Sequence, residues 1–310
     1  MKKQYEVVII GAGVAGLTAG IYASRSGLRT LVVEKAGPGG QIIRTEMVEN
    51  YPGFPEGISG YDLVEKIKAQ AERFGVIFAA GDIGRITAAP GGGFLVPAVD
   101  GEEYTARSVI IASGAAQKML GVPGEERLTG RGVSYCATCD GPLFRGREVV
   151  VVGGGDSAVG EAIYLAKLAK KVYLVHRREQ FRAAKILQDR LLGCPNVELR
   201  LNCTTAEITG EDRVTGIRIN NLRSGAQETI PVSGIFIYVG LLPNTDFLKG
   251  VVKLDEKGFI VTDALMETSM PGVFACGDAR ANIFKQVVVA CGEGAIAADS
   301  SWHYIEGLNR

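Results

Sequence analysis

Val7-Val8-Ile9-Ile10-Gly11-Ala12-Gly13-Val14-Ala15-Gly16 is the stretch that decides the fold. Four apolar residues in a row read as a short strand buried on both faces, as inside a parallel sheet. A G-x-G-x-x-G turn follows at once, and an alanine-rich helical stretch runs on to Ser26, with Gly27 as its C-cap. Leu31-Val32-Val33 gives the next strand, and Glu34 stands at its tip. Glycines in such a turn let the backbone approach a pyrophosphate, and the free N–H groups and dipole of the helix start favour an anion. Alone the motif is weak; strand, turn, helix, strand and acid in order make a dinucleotide-binding unit.

The pattern returns at Val149 to Val152, followed by Gly153-Gly154-Gly155-Asp156-Ser157-Ala158, a G-x-G-x-x-A variant. A helical stretch from Ala158 to Ala169 leads to a strand at Val172 to Val175. Gly11 and Glu34 are 23 residues apart, and so are Gly153 and His176, so the two tips are equivalent positions. Their chemistry is opposite. A carboxylate accepts hydrogen bonds from a ribose diol and repels a 2′-phosphate. His176-Arg177-Arg178 with Arg182 instead offers guanidinium groups to a 2′-phosphate. The first unit is therefore expected to hold FAD or NAD, and the second NADPH.

Val109 to Ala112, ending in Ser113-Gly114, and Ile235 to Val239, ending in Gly240, read as late strands of the two sheets. Gly272-Val273-Phe274-Ala275-Cys276-Gly277-Asp278 is a further strand, and Ala290 to Trp302 an alanine-rich helix. That ending has no fingerprint of its own, so it is expected to complete the first unit. The expected architecture is α/β, with two Rossmann-like dinucleotide-binding domains, the second inserted into the first. Residues 1–114 and 244–310 form the first domain and 115–243 the second, with crossovers near Gly114-Ala115-Ala116 and Pro243-Asn244.

Composition narrows the function classes. The 310 residues carry 34 basic and 34 acidic side chains, so no basic excess is present to neutralise a nucleic-acid backbone. With 46% hydrophobic and 22% charged residues the mixture is that of a globular protein. Glycine, at 42 residues, is in excess without a G-X-Y period, which points to close backbone approaches. No apolar run approaches 18 residues, so no membrane span is expected. The four apolar residues Val7 to Ile10 are too short for a signal-peptide core, and six cysteines are too sparse for a secreted disulfide scaffold. A soluble, cytoplasmic protein is the expectation.

Cys136-Ala137-Thr138-Cys139 is a C-x-x-C followed by Asp140. As half of a zinc site it would need two more ligands; Cys194, Cys203, Cys276, Cys291, His176 and His303 do not supply them at suitable spacing. A redox pair is favoured, since two intervening residues allow a small disulfide ring and such pairs often have a depressed thiolate pKa. Asp140 is then placed to move a proton, its plainer alternative being a capping or solvated aspartate. The other four cysteines read as packing residues. His303 and Glu306, three apart on a late helix, read as a solvated face rather than an acid–base dyad.

Taken together and in order, the first fingerprint, Cys136 to Asp140, the second fingerprint, His176-Arg177-Arg178 with Phe181-Arg182-Ala183, and Thr268 to Gly272 leading into Gly277-Asp278 strongly resemble the bacterial-type, low-molecular-weight NADPH-dependent thioredoxin reductases. The resemblance covers nearly the whole chain. It implies FAD on the first domain, held by Gly11, Gly13, Gly16, Glu34, the stretch to Gln41, Asn50, Gly277, Asp278, Gln286 and Val287. It implies NADPH on the inserted domain, at Gly154, Asp156, Ser157, His176, Arg177, Arg178 and Arg182. It further implies that Cys139 faces the flavin, that Cys136 attacks the disulfide of thioredoxin or a thioredoxin-like protein, that Asp140 handles the proton, and that the enzyme is a homodimer. One departure is visible: where many members carry two aromatic residues after Cys-Asp-Gly, this chain has Pro142-Leu143-Phe144. Rival readings are a dithiol oxidase or a ferredoxin-linked reductase of the same superfamily, both opposed by the basic cluster, and a flavin-binding redox sensor without turnover.

Overall fold

The computed structural model describes residues 3–45, 48–135 and 137–308, with backbone only for Arg44, Thr138 and Cys139. The chain divides into two compact units, Met1–Ala116 with Leu242–Arg310, and Gln117–Leu241. The class is α/β, and each unit is built on a parallel sheet.

In the first unit β1 (Lys3–Ile10), β2 (Thr30–Glu34), β3 (Ile77–Ala80) and β6 (Glu103–Ile111) run parallel in the order β3-β2-β1-β6. The antiparallel strands β4 (Thr87–Ala88) and β5 (Phe94–Pro97) extend it along the first half of β6. The second half of β6 pairs in parallel with β17 (Val273–Ala275), as expected for a C-terminal segment that closes the first unit. The apolar run of β1 is buried on both faces for the reason its sequence suggests. Val7 and Ile9 point to a core shared with α1 (Val14–Arg25), α2 (Gly60–Arg73) and α7 (Val287–Leu308). Val8 and Ile10 point the other way, against Phe94, Val96, Leu248 and Ile260. Small residues let α7 lie close on α1: a Cβ on Gly294 would stand 2.3 Å from the Ala15 carbonyl.

The second unit repeats the plan. β8 (Val133–Ser134), β9 (Glu148–Gly153), β10 (Lys171–His176), β11 (Val197–Leu201) and β15 (Gly234–Tyr238) form an all-parallel sheet in the order β11-β10-β9-β15-β8. Val149, Val151, Val172 and Leu174 pack under α5 (Asp156–Ala166) and α6 (Lys185–Leu192). Val150, Val152, Tyr173 and Val175 pack against an antiparallel meander of β12 (Cys203–Thr209), β13 (Gly216–Asn221) and β14 (Gln227–Pro231). Two short helices, α3 (Glu125–Leu128) and α4 (Ala137–Asp140), precede β9. The connecting segments β7 (Ala115–Gln117) and β16 (Leu241–Pro243) pair with each other. The meander and the β4–β5 pair are elements that the sequence reading does not anticipate.

Candidate functional sites

The turn between β1 and α1 has the geometry its glycines suggest. Gly11 lies at φ +106°, and a Cβ there would stand 2.3 Å from the Ala112 carbonyl oxygen; a Cβ on Gly16 would stand 1.9 Å from that of Gly11. Gly13 differs: it caps α1 without any side-chain hydrogen bond, and a Cβ there would meet nothing within 4 Å. Space is thus left beside the N-cap of α1, and a helix start with room beside it is where a phosphate can be received. Glu34 holds the rim, its Oε2 accepting from the Ala12 N–H at 2.7 Å and its Oε1 from the Ala36 N–H at 3.0 Å. Each oxygen keeps a further lone pair for a ligand hydroxyl.

Beside this turn lies a cavity of about 340 Å³, lined among others by Gly11, Glu34, Lys35, Asp82, Ser113 and Asn244. Ser113 Oγ is buried with no hydrogen-bond partner among the described residues. An orphaned hydroxyl on the wall of a polar cavity beside an open helix start fits a bound dinucleotide. Gln41 donates from Nε2 to the Ala115 carbonyl at 2.9 Å, and Asn50 donates from Nδ2 to Gln286 Oε1 at 2.9 Å. Gly277, Asp278, Gln286 and Val287 lie on the turn from β17 into α7. That turn is braced from within. Buried Glu293 accepts from the Gly277 N–H at 2.8 Å and from Arg280 Nη1 at 2.6 Å, and Lys285 Nζ donates to the Asp278 and Arg280 carbonyls. Burial pushes the Asp278 carboxyl up and the Lys285 ammonium down.

In the second unit, Gly155 caps α5, again without a side-chain bond and with open space at its missing Cβ. Asp156 Oδ1 accepts from the Ala184 N–H at 2.7 Å and the Arg182 N–H donates to the Gly154 carbonyl at 2.8 Å, so the basic segment folds back onto the turn. Arg177, Arg178 and Arg182 are exposed, as is Ser157. His176 is not: its ring is buried, stacked on Phe181 at 5.5 Å, and occupies the space where a Cβ on Gly154 would stand, 2.2 Å from Cε1. Burial lowers its pKa, so the imidazole supplies a packing surface and the three arginines supply the charge.

Of the redox motif, Cys136 lies outside the described residues. Cys139 and Asp140 fall on α4. Hydrogen bonds among the described residues hold this turn and its approach. The Ala137 N–H donates to Tyr238 Oη at 2.8 Å, Ser134 Oγ donates to Asp140 Oδ2 at 2.6 Å, and Tyr135 Oη donates to Glu125 Oε1 at 2.7 Å. Glu125 is itself buried and accepts from the Leu120 and Gly121 N–H groups. Burial pushes both tyrosine hydroxyls up, so they stay neutral. Asp140 is thus hydrogen-bonded by a serine that sequence reasoning passes over, as it does Tyr238, since neither belongs to a local motif. After the turn, Leu143 is 71% exposed while Phe144 is buried edge-on against Phe236.

The remaining cysteines Cys203, Cys276 and Cys291 are buried and Cys194 is half-buried, all with free thiols. No group of metal-ligand type occurs among the described residues. His303 and Asp299 form an exposed i,i+4 pair at 3.7 Å, on a solvated helix face. No helix of the described residues is long and apolar enough to cross a membrane.

Comparison with known proteins places this arrangement in context. Residues 5–294 match the model for pyridine nucleotide-disulphide oxidoreductases. The chain is 47% identical over 308 residues to the thioredoxin reductase of Listeria monocytogenes, covering 99% of this chain and 96% of the relative, and equally to that of Bacillus subtilis. Among solved structures it is similar to thioredoxin reductase from Lactococcus lactis, with a TM-score of 0.95 and 41% identity over 98% of this chain and 99% of the other. The thioredoxin reductase of T. acidophilum gives 0.93 and 37%, over 97% and 99%.

Proposed function

Because the chain belongs to the pyridine nucleotide-disulphide oxidoreductase family, we propose that it is an NADPH-dependent thioredoxin-disulfide reductase. The net reaction is NADPH, a proton and a protein disulfide giving NADP⁺ and a protein dithiol. FAD belongs on the first unit, at the open start of α1, with Glu34 toward a ribose and the braced Gly277–Val287 turn beside it. When bound, the flavin supplies the two-electron carrier between nicotinamide and disulfide. NADPH belongs on the second unit, its pyrophosphate at the start of α5 and its 2′-phosphate among Arg177, Arg178 and Arg182.

The chain's own residues then have defined tasks. Cys136 attacks the partner disulfide, Cys139 resolves the mixed disulfide, and Asp140 exchanges the proton that a thiol loses or a leaving thiolate gains. The partner is thioredoxin or a thioredoxin-like protein, met at a surface that includes exposed Leu143. A homodimer in the cytoplasm completes the reading.

The observation that carries it is one unit holding both an open fingerprint beside three exposed arginines and a turn with Cys139 and Asp140. Anaerobic titration of the purified protein with NADPH, and separately NADH, tests it. NADPH is expected to bleach the flavin, and an oxidised thioredoxin to restore it. No flavin in the protein, or no bleaching by NADPH, overturns the reading; reduction by ferredoxin instead would select the ferredoxin-linked alternative.

A further inference from the structure

Tyr238 touches two parts of the second unit at once. Its hydroxyl accepts from the Ala137 N–H at 2.8 Å, at the start of the turn that carries Cys139 and Asp140. Its backbone lies beside the fingerprint: Tyr238 pairs with Gly153, and a Cβ on Gly153 would stand 2.3 Å from the Tyr238 carbonyl oxygen. The residue is 8% exposed, on an inner strand of a five-stranded sheet. The acceptor is therefore fixed by a strand that cannot shift without moving the nucleotide turn. Ala137 is fully buried, so its N–H has no water to turn to if that hydroxyl is lost.

We propose that Tyr238 is a positioning residue for the redox pair, its hydroxyl restraining the start of α4 and with it the backbone torsions that a Cys136–Cys139 disulfide would fix. This rests on the functional reading above. Closing a disulfide across two intervening residues fixes the torsions between them, and the dithiol regains that freedom when it opens. A turn already held at the Ala137 N–H has less freedom to regain, so the hydroxyl favours the disulfide. Burial raises the hydroxyl's pKa, so the same neutral group is present across the working pH range.

The test is Tyr238→Phe, which keeps the ring and removes only the oxygen. The FAD-loaded wild type and variant are equilibrated anaerobically in mixtures of oxidised and reduced dithiothreitol. Thiols are then trapped with iodoacetamide, and the peptide containing Cys136 and Cys139 is quantified by mass spectrometry. The variant's equilibrium is expected to move about three- to tenfold toward the dithiol, tenfold being about 30 mV for a two-electron couple. Exchange of the Ala137 amide, slow in the wild type, should accelerate. A wild-type disulfide with an equilibrium unchanged within twofold in the variant, or moved toward the disulfide, overturns the proposal alone. Free exchange of the Ala137 amide in the wild type does the same. A wild type that forms no Cys136–Cys139 disulfide anywhere in the range overturns the functional reading with it.

Discussion

His176 shows how a residue at a proposed binding position can contribute packing rather than charge. Its ring fills the space above Gly154, and burial holds its pKa below the ordinary 6.5. The unfolded chain therefore takes up this proton at a pH where the folded chain still resists it. Stability from His176 is present above about pH 6.5, falls as pH drops from there to the folded pKa, and is level below it. His176→Gln is expected to flatten the urea-midpoint profile between pH 7.5 and 5.5 relative to wild type; an identical slope would count against burial as the cause. The neighbouring arginines call for a different measurement. Charge-assisted hydrogen bonds contribute about 1.5–3 kcal/mol each, so replacing Arg177 and Arg178 by Gln should weaken NADPH roughly 10- to 100-fold per bond lost. NADH should change little, and equal losses for both nucleotides would show that the pair does not read the 2′-phosphate.

The β1-turn-α1 element separates glycines that serve the fold from Gly13, which the packing leaves free for the proposed ligand. A methyl group on Gly16 would collide with the Gly11 carbonyl at 1.9 Å, whereas one on Gly13 enters open space at φ −69°. Gly16→Ala should cost about 1–3 kcal/mol or more of stability even without cofactor. Gly13→Val should leave the apoprotein's melting temperature nearly unchanged yet lower FAD affinity at least tenfold in reconstitution titrations. Retained affinity would remove the pyrophosphate from this turn. This element was legible in the sequence because strand, turn and helix are local signals, and the 23-residue offset exposed its second copy. The meander was not legible: Cys203-Thr204-Thr205-Ala206-Glu207-Ile208-Thr209 is half polar, and its pairing partners are set by packing on the sheet. Nor were the anchors of the redox turn, since Tyr238 meets Ala137 across 101 residues.

At the level of the whole chain, two units with separate cores should answer separately to their ligands. NADP⁺ at one hundred times its dissociation constant contributes about 2.7 kcal/mol to the species that binds it. Hydrogen exchange should slow across Val149 to Arg182, where the second fingerprint and the arginines lie; no slowing there would exclude this unit as the nucleotide site. The insertion has a further consequence, for synthesis. The second half of β6 waits for β17, and the turn proposed to hold FAD follows β17 at Gly277 to Val287. Every residue of the inserted unit leaves the ribosome in between. At 5–20 residues per second this gap lasts roughly 8–30 s, during which one edge of the first sheet stays unpaired. The unit that begins first on the ribosome is thus the one completed last, and cofactor capture becomes a closing event of the protein's birth, reached after the nucleotide unit is already whole.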